Sequence, residues 1–192
     1  PAIEWGIGKV SEKVIDKNTK VVSIVHVPNT LGVINPIAKI ISLAKKVKAV
    51  SIVDAAQSVP HIKIDVKKID CDFLVFSGHK IGGPSGIGVL YGREERLEKL
   101  DPFMVGGGMV SEVSYDKVSW NSIPYRFEAG SVNIAGAVGL AQAIKYLEKI
   151  GMDKVFQHGE ELTEYALKRL NEFKQVKIIG SKDKNNRVGV IS

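Results

Sequence analysis

Short apolar runs rich in β-branched residues, separated by one helical segment and polar breaks, dominate the first half of the chain. Val21 to Val27 (VVSIVHV) has no helical period and reads as a buried strand. Asn29 to Gly32 breaks it. Asn35-Pro36 is expected to open a helix, with Asn35 capping the free N–H groups and Pro36 at the first helical position. In that helix Ile37, Ile40, Ile41 and Ala44 form one apolar face, and Lys39, Lys45 and Lys46 lie away from it. Val50 to Val53 is the next strand, ending at Asp54. Phe73 to Phe76 is another, ending at Ser77-Gly78-His79-Lys80. Strand, helix, strand, connection, strand is the pattern of a parallel α/β sheet. Gly86 to Tyr91 follows after too short a turn for a parallel crossover, so this strand is expected to run antiparallel.

The second half is less regular. Residues from about Arg93 to Asn133 are glycine-rich and are expected to form a long functional or interface loop. A helix from about Ala135 to Ile150 stops at Gly151, which suits a left-handed cap. Asp153 is expected to cap a second helix running to about Phe173. Its apolar side is expected to carry Val155, Leu162, Tyr165, Ala166, Leu170 and Phe173. Val176 to Ile179 and Arg187 to Ser192 read as two strands of another sheet. The expected division is a partial large domain over 1–134, followed by linking helices and the start of a small C-terminal domain over 135–192.

Composition narrows the function classes. Of 192 residues, 44% are hydrophobic and 25% charged, as in a globular protein. No apolar run is long enough to span a bilayer, and residues 1–10 lack the basic start and apolar core of a secretion signal. A net charge of +6 comes from lysines scattered among acids and apolar residues, without an aromatic stacking motif, so neither nucleic acid nor membrane is the expected partner. Cys71, the one cysteine, excludes an internal disulfide and fits a reducing compartment such as the cytoplasm. It is expected to be a small buried residue.

Position is the chemically informative feature. Asp54 and Lys80 each follow a strand of the expected parallel sheet, the edge at which open α/β sheets bind ligands. A strand-end salt bridge would also account for the pair, and a lysine there could bind phosphate as a point charge. The phosphate-loop pattern GxxxxGK[ST] is absent, since Lys80 precedes its glycines, and GGPSGIG does not match GxGxxG. No metal-ligand cluster is expected.

Longer strings favour one chemistry. Asp54-Ala55-Ala56-Gln57, then Ser77-Gly78-His79-Lys80, then Gly83-Pro84-Ser85-Gly86-Ile87-Gly88 resemble the class V aminotransferase family of fold-type I pyridoxal-phosphate (PLP) enzymes. Arg126-Phe127-Glu128-Ala129-Gly130-Ser131-Val132-Asn133 and His26-Val27-Pro28-Asn29 resemble the Suf-type cysteine desulfurases and related selenocysteine lyases. The resemblance covers nearly the whole chain in consistent order.

It implies an α/β fold with a mainly parallel large-domain sheet, PLP as cofactor, and a homodimer. The implied activity removes sulfur from L-cysteine, or selenium from selenocysteine, giving L-alanine and a persulfide for iron–sulfur cluster assembly or other sulfur transfer to an acceptor protein. By resemblance Lys80 is the catalytic lysine that bonds the PLP aldehyde, Asp54 pairs with the pyridine nitrogen, and Gln57 hydrogen-bonds the ring oxygen. Ser77 and His79 would donate to the phosphate. Asn29 would lie near the ring, and Ser131 would reach the phosphate of the neighbouring subunit, where threonine is usual. Arg126 and Glu128 would be interface residues and His26 a core residue or one behind the site. Family chains are longer than this one. Their ring-stacking residue, substrate-carboxylate arginine and sulfur-accepting cysteine have no match here, and Cys71 lies in the wrong place to accept sulfur. Another class V activity (aminotransferase, epimerase or lyase) and a non-catalytic dimer module stand as alternatives.

Overall fold

The structure is a computed structural model that describes residues 13–192 apart from 182. The expectation for residues 1–10 therefore lies outside the described residues. Four strands make the main sheet: β1 (Val21–Val25), β2 (Val50–Asp54), β3 (Phe73–Ser77) and β4 (Gly88–Gly92), in that spatial order. The first three run parallel and β4 antiparallel to β3. The α/β fold with a mainly parallel sheet is thus as expected, including the reversed strand after the glycine turn.

Register does the functional work. Val25 pairs with Asp54, and Asp54 pairs with Val75. These contacts bring the carboxyl ends of β1 and β2 to one edge, with β3 running two residues further before Gly78 turns the chain. Helix α1 (Ile37–Lys46) covers the sheet with Ile37, Ile40, Ile41 and Ala44, all buried. Its last-turn Lys45 and Lys46 sit favourably at the negative end of the helix dipole. The core joins Ile37 and Ile41 to Val53, Ala55, Cys71 and Leu74.

Asn35 does not cap α1. Pro36 is the boundary residue, and no side chain caps it. The Asn35 amide is drawn the other way, its backbone N–H donating to His26 O at 2.8 Å and its Nδ2 to Val25 O at 2.7 Å. It ties the helix start to the chain leaving β1 rather than closing the helix.

A one-turn helix α2 (Val66–Ile69) is capped by Asp65, which accepts from the amides of Lys67 and Lys68. After β4 come another one-turn helix, α3 (Glu94–Leu97), and a two-stranded antiparallel ribbon of β5 (Val110–Val113) and β6 (Val118–Trp120). The long segment expected to be irregular therefore carries a ribbon. Helix α4 (Ile134–Ile150) ends at Gly151, whose φ of 93° suits a residue without a Cβ. Helix α5 (Met152–Leu170) starts at Gly151 with no side-chain cap; Asp153 lies in its first turn, where its charge opposes the dipole's positive end.

Asp153 thus does not cap α5 as expected, and two further expectations fail in this region. The buried residues of α5 are Thr163 and Leu167, whereas Leu162 and Tyr165 are exposed. Val155, Ala166 and Leu170 of the expected side are half-buried, and Val155 lies with residues 187–189, so the packed side is rotated from the expected one toward Thr163 and Leu167. Val176–Ile179 and residues 187–192 are not strands. Their pairing amounts to one bond, from Ile179 N to Ser192 O, and Arg187 bridges instead to Val33. No helix among the described residues is long and apolar enough to cross a membrane.

Candidate functional site

Four of the seven predicted residues meet in one place. Asn29, Asp54, Gln57 and Lys80 line a cavity of about 220 Å³, together with Val25, Val27, Pro28 and Ala56. Asp54 arrives as the last residue of β2, and Gln57 follows in the turn after it. Asn29 comes from the turn after β1. Lys80 lies in the single 3-10 turn, Gly78–Ile81, that follows β3 directly. That turn ends at Gly82, whose φ of 82° reverses the chain toward β4.

Asp54 and Lys80 share this cavity without forming an ion pair within 4.0 Å. The salt-bridge explanation of the pair is therefore not what the geometry gives. One Asp54 oxygen, Oδ1, accepts the N–H of Ala56 at 2.9 Å, which fixes the carboxylate against its own turn. Behind it, the Asp54 carbonyl oxygen accepts the N–H of His26 at 2.8 Å. Among the described residues, a fixed carboxylate with no cation, an amine with no acid and two side-chain amides thus face one space. This donor set fits PLP: an acid for a ring nitrogen, an amine for an aldehyde and amides for ring substituents.

Ser77, His79 and Ser131 are not among the cavity's lining residues. Ser77 closes β3 in register with Gly88, and neither it nor His79 makes a side-chain hydrogen bond. His79 and Ser131 are exposed. Arg126 Nε is buried without a partner, while the guanidinium stacks 5.6 Å from the Phe127 ring centre. His26 is 7% exposed, its Nδ1 has no partner, and burial lowers its pKa to about 4, so the ring is neutral. Cys71 is free and fully buried, and burial pushes its thiol pKa up. Both features oppose a sulfur-accepting thiolate.

A wider hollow of about 700 Å³ lies across the same turn, between Ile81–Pro84 and the α4 residues Gly139, Gln142, Ala143 and Tyr146. It carries no charged side chain. The ionisable side chains of the predicted site line the smaller cavity. Gly83 and Pro84, read in the sequence only as part of a motif string, and Gly139, not singled out there, line the wider hollow as packing residues.

A probable cysteine desulfurase of Halalkalibacterium halodurans is 46% identical over 181 residues, which is 94% of this chain and 44% of that protein. A cysteine desulfurase of Haloferax volcanii is 46% identical over 182 residues, 95% of this chain and 42% of that protein. The apo structure of a cysteine desulfurase from Thermococcus onnurineus NA1 superposes with a TM-score of 0.91 at 41% identity, covering 96% of this chain and 46% of that one. The chain thus spans less than half the length of these relatives. The aminotransferase class-V family profile matches residues 7–192. With the site strings Asp54–Gln57 and Ser77–Lys80 inside that match, the chain belongs to the class-V aminotransferase family.

Proposed function

We propose that the full-length protein is a PLP-dependent cysteine desulfurase in which Lys80 holds the cofactor. The observation that carries this reading is the shared cavity of Asp54 and Lys80 without an ion pair, at the carboxyl ends of adjacent parallel strands. The desulfurase names of relatives at 46% identity support the choice of reaction. When bound, PLP withdraws electrons from the substrate α-carbon.

The chain's own residues do the rest. Lys80 would hold the cofactor through its amine, and that amine, when free, would take and return protons at the substrate α-carbon. Asp54, fixed by the Ala56 amide, would pair with the ring nitrogen and keep it protonated. Gln57 donates to the ring oxygen, and Asn29 orients the ring edge and substrate. Ser77 and His79 would hold the phosphate, with Ser131 of a second subunit adding a further donor. Sulfur leaves L-cysteine for a cysteine thiol other than Cys71, yielding L-alanine and a persulfide that is then passed to an acceptor protein. Residues 1–134 form part of the cofactor-binding domain, and 135–192 lead into a smaller one.

Exposed apolar side chains support a homodimer. Phe103 is 100% exposed, and Met104, Val105, Tyr125, Val132 and Val138 are also exposed, around the segment that bears Ser131. The test is to supply L-cysteine and a thiol reductant to the full-length protein and to measure L-alanine and sulfide. Equimolar release supports the reading. Transfer of the amino group to a 2-oxoacid without sulfide would place the protein among other class-V activities.

A further inference from the structure

The glycine string after Lys80 does not line the cavity just described; Gly82 and Gly86 have open space around them, but Gly83 and the neighbouring Pro84 are tightly packed. Pro84 sits over Gly139 of α4 so closely that a Cβ on Gly139 would lie 2.6 Å from Pro84 Cγ and 3.0 Å from Cδ. Ordinary carbon–carbon contact is about 3.5–4.0 Å, so even a methyl group there must drive the proline ring away by about 1 Å. One residue on, Leu140 is buried. A Cβ on Gly83 would lie 3.0 Å from Leu140 Cδ1 and 2.9 Å from Gly78 O. The loop is closed on itself by Gly83 N to Gly78 O at 3.0 Å and Gly78 N to Ile87 O at 2.8 Å. At the start of α4, Asn133 Oδ1 caps Gly136 N at 2.8 Å while its Nδ2 donates to Gly86 O at 3.4 Å. Asn133, Gly136, Gly139 and Leu140 recur at helical spacing, on one side of α4.

We infer that this side of α4 is the seat that fixes the Lys80 amine: it clamps the Gly78–Gly88 loop at Pro84 and at Gly86, making Gly139 and Asn133 positioning residues. Lys80 lies inside the clamped loop, within the 3-10 turn Gly78–Ile81, so its height over the cavity is set by how far the loop can approach α4. The absence of a Cβ at Gly139 sets that limit. Misplacing a reacting group by about 1 Å costs up to roughly a hundredfold in rate. The inference rests on the reading of Lys80 as the cofactor lysine.

The test uses the full-length protein with its cofactor removed. Wild type, Gly139→Ala, Pro84→Ala and the double variant are each mixed with PLP, treated with borohydride and mapped by mass spectrometry. The pH profile of Lys80 labelling and amide exchange over residues 78–88 are recorded alongside. Gly139→Ala is expected to slow Lys80 labelling about tenfold or more and to speed exchange in the loop. Pro84→Ala removes the atoms that clash, so the double variant should recover most of both. If Gly139→Ala does not fold, Pro84→Ala alone decides: it should loosen the loop and slow labelling several-fold. Unchanged labelling in folded variants, or faster exchange with unchanged labelling and pH profile, overturns the positioning role. Wild type without label on Lys80 defeats the cofactor reading itself, a different result from either.

Discussion

The backbone N–H of His26 donates to the carbonyl oxygen of Asp54 over 2.8 Å, joining a buried neutral histidine to the strand end that carries the site's acid. The His26 ring has no partner for Nδ1, and burial holds its pKa at about 4 against an ordinary 6.5. Between those values the unfolded chain binds a proton that the folded chain refuses. Stability is therefore unaffected by this group above about pH 6.5, falls as pH drops toward 4, and changes no further below it. The full effect is roughly 3 kcal/mol. His26→Leu should flatten this acid limb, shrinking the stability difference between about pH 7 and about pH 4.5 by about 2 kcal/mol. Urea midpoints at both values measure it. An unchanged difference would mean that the ring is protonated in the fold.

At the opposite end of the strands, Asp72 is 4% exposed and holds a dense set of bonds. Its Oδ2 accepts from Ser51 N at 2.8 Å and Ser51 Oγ at 2.9 Å, and its Oδ1 accepts from Arg96 Nε at 2.8 Å. Burial pushes its pKa up, but the Ser51 amide, the Arg96 guanidinium and the Ser51 hydroxyl together outweigh this and lower it below 3.8. The resulting stabilisation is present above pH 3.8 and is lost as pH falls. Asp72→Ala strands the buried Ser51 N–H and hydroxyl and should cost roughly 2–4 kcal/mol. Denaturant unfolding at neutral pH checks this, and a loss under about 1 kcal/mol would mean that water replaces the carboxylate.

Asp54→Asn separates holding the cofactor from using it. The amide cannot keep a ring nitrogen protonated, whereas Lys80 is untouched. Lys80 labelling should persist while desulfuration of L-cysteine falls by about a hundredfold or more. Activity within a few-fold of wild type would remove Asp54 from the chemistry.

Gly32 and Arg187 fasten the C-terminal segment to the turn that bears Asn29. Gly32 has a φ of 66°, and a Cβ there would lie 2.7 Å from Val190 O. The pairing runs through Val188 N to Gly32 O at 2.8 Å and Ile34 N to Asn186 O at 2.9 Å. Arg187 is 1% exposed and donates only to backbone oxygens, those of Ser181, Val190 and, at 3.5 Å, Leu31. Gly32→Ala should cost about 1–3 kcal/mol and speed amide exchange at Ile34 and Val188. Protection equal to wild type at both amides would show the turn and segment to be independent.

The parts of the fold legible in the sequence are those set by local pattern. Runs such as VVSIV and FLVFS mark strands, and where each run stops puts Asp54 and Lys80 at one sheet edge. Their lack of an ion pair, which distinguishes a binding site from a structural bridge, depends on side-chain placement that no spacing reveals. The same limit explains the misses. Asn35 had the right chemistry to cap α1, but two bonds toward Val25 and His26 outcompeted the cap. Leu162 and Tyr165 fit an amphipathic pattern, yet the side of α5 that packs is chosen by Val188 and Gly189, distant in sequence. Val176–Ile179 is apolar enough for a strand but has no continuous neighbour to pair with among the described residues. The seat of Gly139 on Pro84 joins residues far apart in the chain and was equally invisible.

Borohydride reduction of the full-length protein with PLP, followed by peptide mass spectrometry, shows which lysine carries the cofactor. The reduced cofactor is expected on Lys80, with no such label on Lys80→Ala. Label on another lysine, or an unmodified Lys80 in protein that has bound PLP, would contradict that expectation.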